Sequence, residues 1–482
     1  MYKLSTLAIP VLPIALLLAG ASQAEPPPAR FDETLAALVA EAETANLELA
    51  AIDAGVAGRL AALDQARARF LPAIDLSIRY SRADGGREIG IPVGDLLNPV
   101  YGTLNSLLEA SGQPGPFAPI PNQSIPLLRE REQETVLRLT QPLYDARIGA
   151  AARAAGHQYD AALHGRSALR ARVRRDMQQA WYRWLGAGQA RQILEASLEA
   201  ARENLRVNDS LHRNGKVTRD LVLRAEADLL ELEQQQLAAA GGERLARHYV
   251  NLLRNAPLEA PLPGATLADG DVLRLRERLA AAAGAALADA ASLQSGAVGR
   301  RAELRQLDAG LDAAGAAEDL ARAAFRPQLA LAVDAGSQGE RFRFGDDDRF
   351  VLASLVLRFN LWSGGADRAA LREARSRSGE LRATRQLAEQ QVRLEVLGAL
   401  EDYRVAEASL ATAAKRVEAA DGAYQIVRRK RDLGQAPPVE FIDARRALTS
   451  AQLSQNLSRI EALAALAAVE YAVGVSALED RP

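Results

Sequence analysis

Two stretches without a single proline, residues 144–215 and 362–434, are nearly equal in length, and each ends on a glycine. Proline is the residue that most reliably breaks a helix, so each stretch can run as one uninterrupted arm. At about 1.5 Å of rise per residue such an arm reaches roughly 100 Å, far beyond the helices of ordinary globular domains. A chain that builds this arm twice is internally duplicated, and its fold is an elongated helical tube or bundle. Aromatic residues make up only 5% of the 482 residues and alanine is abundant, which suits long helices packed close together.

The apolar pattern along the arms has the helical period. Leu169, Val173, Met177, Trp181 and Trp184 lie on one stripe, continued by Leu194, Leu198 and Leu205, and the spacing marks a packing seam. After a polar turn at Asn214, Gly215 and Lys216, a return arm carries Leu221, Leu229, Leu232, Leu245, Tyr249 and Leu252 and stops at Pro257, Pro261, Pro263 and Gly264. The second arm, through Leu387, Val396, Leu400, Tyr403 and Val427, turns at Leu433, Gly434 and Gln435 and returns from Val439 to Gly474. Further helices are expected over 32–70, 273–291 and 302–324.

Between these helices the period changes to two. Ile74, Leu76, Ile78 and Tyr80 alternate with Asp75, Ser77, Arg79 and Ser81, a strand with one face for oil and one for water. A second strand is expected over 135–143 with Leu137, Arg138 and Leu139, after a polar, Gly- and Pro-rich segment, residues 82–132, that holds a short helix. Phe70-Leu71-Pro72 returns as Phe325-Arg326-Pro327, and two more strands follow: Leu329, Leu331 and Val333 oppose Ala330, Ala332 and Asp334, and Leu355 and Leu357 oppose Ser354, Val356, Arg358 and Asn360. Asp346, Asp347 and Asp348 lack the spacing of an EF-hand and read as a solvated turn.

The first 24 residues have the form of a secretory signal: Lys3, an apolar run over 7–19, then Ser22-Gln23-Ala24 before Glu25. Beyond it no apolar run is long enough to span a bilayer as a helix, so a membrane crossing would be made by strands. Four strands cannot close a barrel of useful width, and an open sheet in lipid would leave unpaired edges. Several copies must then share one barrel. Three chains with twelve strands is the smallest arrangement with a wide lumen, although other closed rings satisfy the same arithmetic. A net charge of -2 gives no case for nucleic acid, and the absence of cysteine excludes disulfides, thiolate metal sites and a cysteine-borne lipid. His157, His164, His212 and His248 are scattered along helices and match no catalytic pattern; neither an enzyme nor a cofactor is expected.

The signal segment, the duplicated helix-hairpin-helix halves, the Phe-x-Pro before the first strand of each half and the glycine-centred tips together resemble the TolC-like outer membrane efflux protein family. The resemblance spans about residues 30–478. It implies a mostly α fold: a homotrimer whose long α-helical coiled-coil barrel continues into a transmembrane β-barrel with four strands per protomer. In such a chain 25–255 is the first repeat, with a β-hairpin at about 73–143 and a tip near 215. Residues 256–272 are an equatorial linker, 273–474 the second repeat, with a hairpin at about 328–361 and a tip near 434, and 475–482 a tail. Lipid would meet Ile74, Leu76, Ile78, Leu329, Leu331, Leu355 and Leu357, and the lumen Asp75, Ser77, Arg79, Arg138, Asp334, Arg358 and Asn360.

By the same resemblance the tips, Asn214, Gly215, Lys216, Asp220, Leu433, Gly434 and Gln435, meet a periplasmic adaptor (a membrane fusion protein), and through it an inner-membrane pump of RND or ABC type. Glu440 and Asp443 fall where the family carries an acidic ring at the periplasmic entrance. Three residues apart, they share a helix face, and threefold symmetry would gather six carboxylates that favour cations. The family's aromatic and basic closing partners would fall at Arg431 and Ala436, where neither type matches. The function implied is a passive outer-membrane conduit in a tripartite efflux system. Type I protein secretion and, in another class, a periplasmic coiled-coil adaptor remain as alternatives.

Overall fold

The computed structural model describes residues 31–478 except 266–269 and 343–344; the signal segment and the last four residues lie outside the described residues. The long arms are single helices, α4 (Ala146–Arg213) and α9 (Ala366–Asp432), returning as α5 (Arg219–Leu253) and α10 (Pro438–Val473). Helix α4 starts where Asp145 accepts a hydrogen bond from the Arg147 amide at 2.8 Å. It ends on His212 and Arg213, whose position favours the negative end of the helix dipole.

Shorter helices surround the upper part of the arms: α1 (Phe31–Ala45), α2 (Leu47–Ala68), α6 (Asp271–Ala283), α7 (Ala290–Arg300) and α8 (Ala302–Ala323). The helix expected over 32–70 is in fact two, because Asn46 takes an extended conformation and its side-chain oxygen accepts from the Glu48 and Leu49 amides. Its amide nitrogen donates to the Leu253 carbonyl at 2.9 Å, so the break also ties α2 to the end of α5. The helix expected over 273–291 ends early, at Gly284, and α7 starts afresh behind the Asp289 cap.

One large apolar core lies at this level. Phe31, Leu35, Met177, Trp181, Tyr182, Leu279, Leu293, Leu304, Val396, Leu463 and Val469 are buried in it, with the Phe31 and Trp181 ring centroids 4.8 Å apart. The seam of α4 read from the period is therefore buried at Val173, Met177, Trp181, Leu194 and Leu198, while Trp184 is only half-buried. At Gly186 a Cβ would sit 2.5 Å from the Ile460 side chain, so glycine is what lets α10 approach α4; Asn456 donates to the Gly186 carbonyl at 2.8 Å. Among the described residues, no helix is long and apolar enough to cross a membrane.

The sheet lies above these helices, at the end of the arms away from Gly215 and Gly434. Strands β1 (Ala73–Arg82), β4 (Arg131–Asp145), β5 (Gln328–Gly339) and β6 (Arg349–Arg358) form an antiparallel sheet in that order. It is open, with β1 and β6 at its edges. Segment 82–132 is more ordered than its composition suggests: β2 (Glu88–Ile91) pairs with β3 (Gln123–Pro126) and α3 (Val93–Ala110) lies between them. Strand β6 stops at Arg358 and α9 begins at Ala366, which leaves Leu361 and Trp362 exposed between them.

Candidate functional site: a two-faced sheet and two helical tips

The register sorts the sheet's side chains. Ile74 pairs with Leu139 and Leu76 with Leu137; Leu139 pairs with Val333 and Leu137 with Ala335; Leu331 pairs with Leu355 and Leu329 with Leu357. Paired residues share a face, so the seven residues expected to meet lipid all stand on one face. Ile74, Leu76, Ile78, Leu355 and Leu357 are 63–68% exposed. An apolar surface of this extent, left open to water in the single chain, marks a membrane or protein contact.

The opposite face is charged and cross-linked. Asp75 pairs with Arg138, which forks onto Asp334 with contacts of 2.7 and 2.8 Å. Arg79 binds Glu134 at 2.6 Å, and Gln338 donates to Glu132 at 2.6 Å. Ser77 and Arg358 lie on this face too. Asn360 does not: it lies beyond the end of β6 and donates to Asp367 at 2.7 Å, securing the first turn of α9. Strand β6 also departs from the clean alternation, since Leu352 and Val356 occupy the charged face.

The two tips are built alike. In the first, Asn214 closes α4, Gly215 takes a φ of 68°, and the Lys216 amide donates to the Leu211 carbonyl at 2.9 Å. In the second, Leu433 closes α9, Gly434 takes a φ of 73°, and the Gln435 amide donates to the Lys430 carbonyl at 2.8 Å. Both are Schellman turns, for which glycine is the natural residue. Asp220 lies in the first turn of α5, bound by the Thr218 hydroxyl and 4.0 Å from Arg224.

Glu440 and Asp443 lie in the first two turns of α10. They are not equivalent. Lys430, from the end of α9, approaches Glu440 at 3.5 Å, whereas Asp443 is exposed. Arg431, the position where an aromatic closing partner would fall, lays its guanidinium 4.0 Å over the Phe441 ring, which itself packs on Tyr424. Ala436 is half-buried in the turn.

Sequence reasoning missed a buried ionic cluster above the tips. Arg445 Nη2 of α10 donates to both oxygens of Asp228 of α5 at 2.7 Å, with both side chains 3% exposed. Arg446 adds contacts of 2.8 Å to Asp228 and Glu231, and Arg445 also binds Ser197 of α4, whose hydroxyl lies 2.8 Å from Thr449. Burial holds the Arg445 guanidinium below its ordinary range, against the pull of Asp228. Nothing in local spacing announces this, because Asp228 and Arg445 are far apart in the chain. His157 and His164 line one cleft with Asp160, Asp308 and Asp312. His157 lies 4.0 Å from Asp160, and among the described residues no group gathers as a metal site.

Residues 293–475 match the family model described as outer membrane efflux protein. Solved structures similar to the chain include the CmeC outer membrane channel of Campylobacter jejuni, with a TM-score of 0.72 and 16% identity over 93% of this chain and 87% of that one. The outer membrane protein VceC of Vibrio cholerae gives 0.70 and 17%, over 92% and 96%. The open state of the MtrE outer membrane channel of Neisseria gonorrhoeae gives 0.70 and 18%, over 92% and 89%. At these identities the likeness is one of fold. No curated protein matches the sequence.

Proposed function

We propose that this chain, a member of the TolC-like outer membrane efflux protein family, is the outer-membrane channel of a tripartite efflux system: a passive conduit that an adaptor and an inner-membrane pump supply with cargo. The observation that carries this reading is the sheet. Its one face is apolar and exposed, its other carries the Arg138–Asp334 and Arg79–Glu134 pairs, and its two edges are unpaired within the chain. A bilayer forbids open edges, and a wet lumen accepts charge. Copies joined edge to edge satisfy both conditions, and three copies give twelve strands. Helices α4, α5, α9 and α10 then form the wall of a periplasmic tunnel, and the tips around Gly215 and Gly434 meet the adaptor.

At the tunnel end, Glu440 and Asp443 of each copy would face the axis as an acidic gate. With Lys430 beside Glu440, Asp443 supplies the larger share of the uncompensated charge. Purified protein in planar bilayers tests this. Replacing both residues by alanine is expected to raise conductance and weaken cation preference, and Asp443→Ala alone should shift the reversal potential more than Glu440→Ala. Selectivity unchanged by the double replacement would sink the gate; failure of the protein to fractionate with outer membranes would sink the channel.

A further inference from the structure

The strands of the main sheet join the helices at Ala73, Asp145, Gln328 and Arg358, so Arg82, Arg131, Gly339 and Arg349 mark its far end. On the apolar face the β1 row that starts at Ile74 and reaches Tyr80 finishes on Arg82, and the β4 row that starts at Leu139 and reaches Gln133 finishes on Arg131. Among the described residues, the charges that the four strands put on this face are Arg82, Arg131 and Arg349 alone. All three are cations, all lie toward the far end, and their side chains are 59–71% exposed. The carboxylates of the strands, Asp75, Glu134 and Asp334 among them, stand on the other face.

Arg82 and Arg131 are direct cross-strand partners, and like charges opposite each other destabilise a sheet. Glu130 lies 3.8 Å from the first and 3.7 Å from the second, beyond hydrogen-bond distance of either. One row nearer the helices, Tyr80 stacks on Phe342 with ring centroids 5.9 Å apart, and Gln133, the partner of Tyr80, is completely buried. A cleft opens beside the rings, lined by Tyr80, Glu130, Arg131, Glu340, Arg341 and Phe342, so Arg341 brings a further cation to the same place.

We infer that Arg82 and Arg131 bind the phosphate of a phosphorylated lipid in the outer leaflet, the class to which the lipid A of lipopolysaccharide belongs. A guanidinium presents paired N–H donors that match phosphate oxygens, and one phosphate held between two of them replaces their repulsion by two attractions. Depth and surroundings select a lipid over the free ion. The ten residues of β1 are the length of a tilted membrane-spanning strand, which puts its last residue, Arg82, at the far surface of the bilayer. Tyr80 and Phe342 then stand where an aromatic girdle meets the head groups, and Ile74, Leu76 and Ile78 lie exposed beneath them as a bed for acyl chains. A free phosphate would use neither. The inference rests on the outer-membrane reading and supplies that reading with a ligand.

Native mass spectrometry of the full-length protein in detergent, with lipid A as the probe, reads the binding. The parent should carry lipid A, and Arg82→Gln/Arg131→Gln should weaken its apparent affinity roughly tenfold or more, through the loss of charge-assisted contacts to one phosphate. Arg82→Lys/Arg131→Lys should fall between the two, because lysine keeps the charge without the fork. The parent should bind lipid A stripped of its phosphates as weakly as the glutamine variant binds the intact lipid, a comparison that needs no variant to fold. Equal binding of the two lipids by the parent would leave acyl contact alone and overturn the site. Full displacement of lipid A by inorganic phosphate would show a site for the free ion and overturn the lipid. Protein that fractionates with outer membranes yet carries no lipid A would overturn the site while the channel reading stands; protein absent from that fraction would overturn the reading and the site with it.

Discussion

Helix α4 passes through two regions that are held together differently. Around Trp181 its neighbours are Phe31, Tyr182, Val396, Leu463 and other members of a large apolar core. Some turns further down, that core dwindles to a small cluster of Leu194, Leu198, Ala201 and Leu232, and polar residues are buried beside the apolar ones: Ser197, Asn204, Asn208, Asp228, Arg445 and Thr449. An apolar core of interlocked side chains has one good arrangement and resists sliding. Polar side chains between helices hold position only while their partners are aligned, and removal of one partner is costly. The upper region is thus a rigid collar, and in the lower arms the buried Arg445–Asp228 pair acts as a pin.

Trp181→Ala should cause the largest loss, about 3–5 kcal/mol, the cost of deleting a large aromatic from a packed core. Trp181→Phe should cost much less, since the buried indole Nε1 has no hydrogen-bond partner among the described residues. Denaturant unfolding in detergent, followed by far-UV circular dichroism, separates the two. Equal losses would mean that the collar depends on the indole's shape and not on its bulk.

The pin is tested by comparing Arg445→Ala with the apolar pair Asp228→Leu/Arg445→Met. Alone, Arg445→Ala leaves Asp228 buried with only Arg446 beside it, and breaking a buried pair from one side costs roughly 3–5 kcal/mol. The damage should be local. Amide exchange should quicken near 197–208 and 225–232, while the α4 amides near Trp181 keep their protection. The apolar pair should recover most of the stability. Loss of protection along the whole of α4 after Arg445→Ala would show that collar and arms are one cooperative unit.

The same contrast explains which parts the sequence disclosed. The seam through Val173, Met177 and Trp181 was legible because large apolar residues at helical spacing have one sensible place to go. The two faces of the sheet were legible in β1 because Asp75, Ser77 and Arg79 alternate with Ile74, Leu76 and Ile78; they were less so in β6, where Leu352 and Val356 put apolar residues on both faces. Local rules missed the break at Asn46, because an asparagine inside an otherwise helical pattern becomes a cap only once Leu253 is there to receive its amide. They also grouped Leu232 with Leu245 and Leu252, although the fold buries the first and exposes the others. Helical spacing reveals that a face is apolar, and only the neighbouring helices decide whether its own chain covers it. Asp228 and Arg445 were hidden for a related reason: charged residues read as solvated until a partner from a distant segment is known.

Glu470 gives the smallest effect and the sharpest test of the collar's dryness. It lies in α10 beside Gln178, which donates to one carboxyl oxygen at 3.1 Å, while the other is buried without a hydrogen-bond partner among the described residues. Burial raises its pKa above the usual carboxylate value, and Gln178, the Ala477 amide, the Arg174 charge and the Ser476 hydroxyl only partly oppose that. The folded state therefore keeps the proton to higher pH than the unfolded chain. Glu470's contribution to stability is intact below the unfolded pKa of about 4.5 and is lost as pH rises toward the folded value. Glu470→Gln, neutral at every pH, should match the parent near pH 4 and exceed it at neutral pH by roughly 1–3 kcal/mol, the scale of one unsatisfied buried polar group. Denaturant midpoints measured from pH 4 to 8 would show the two curves diverging. Parallel curves would mean that water reaches this carboxyl and that the collar is open at its upper edge.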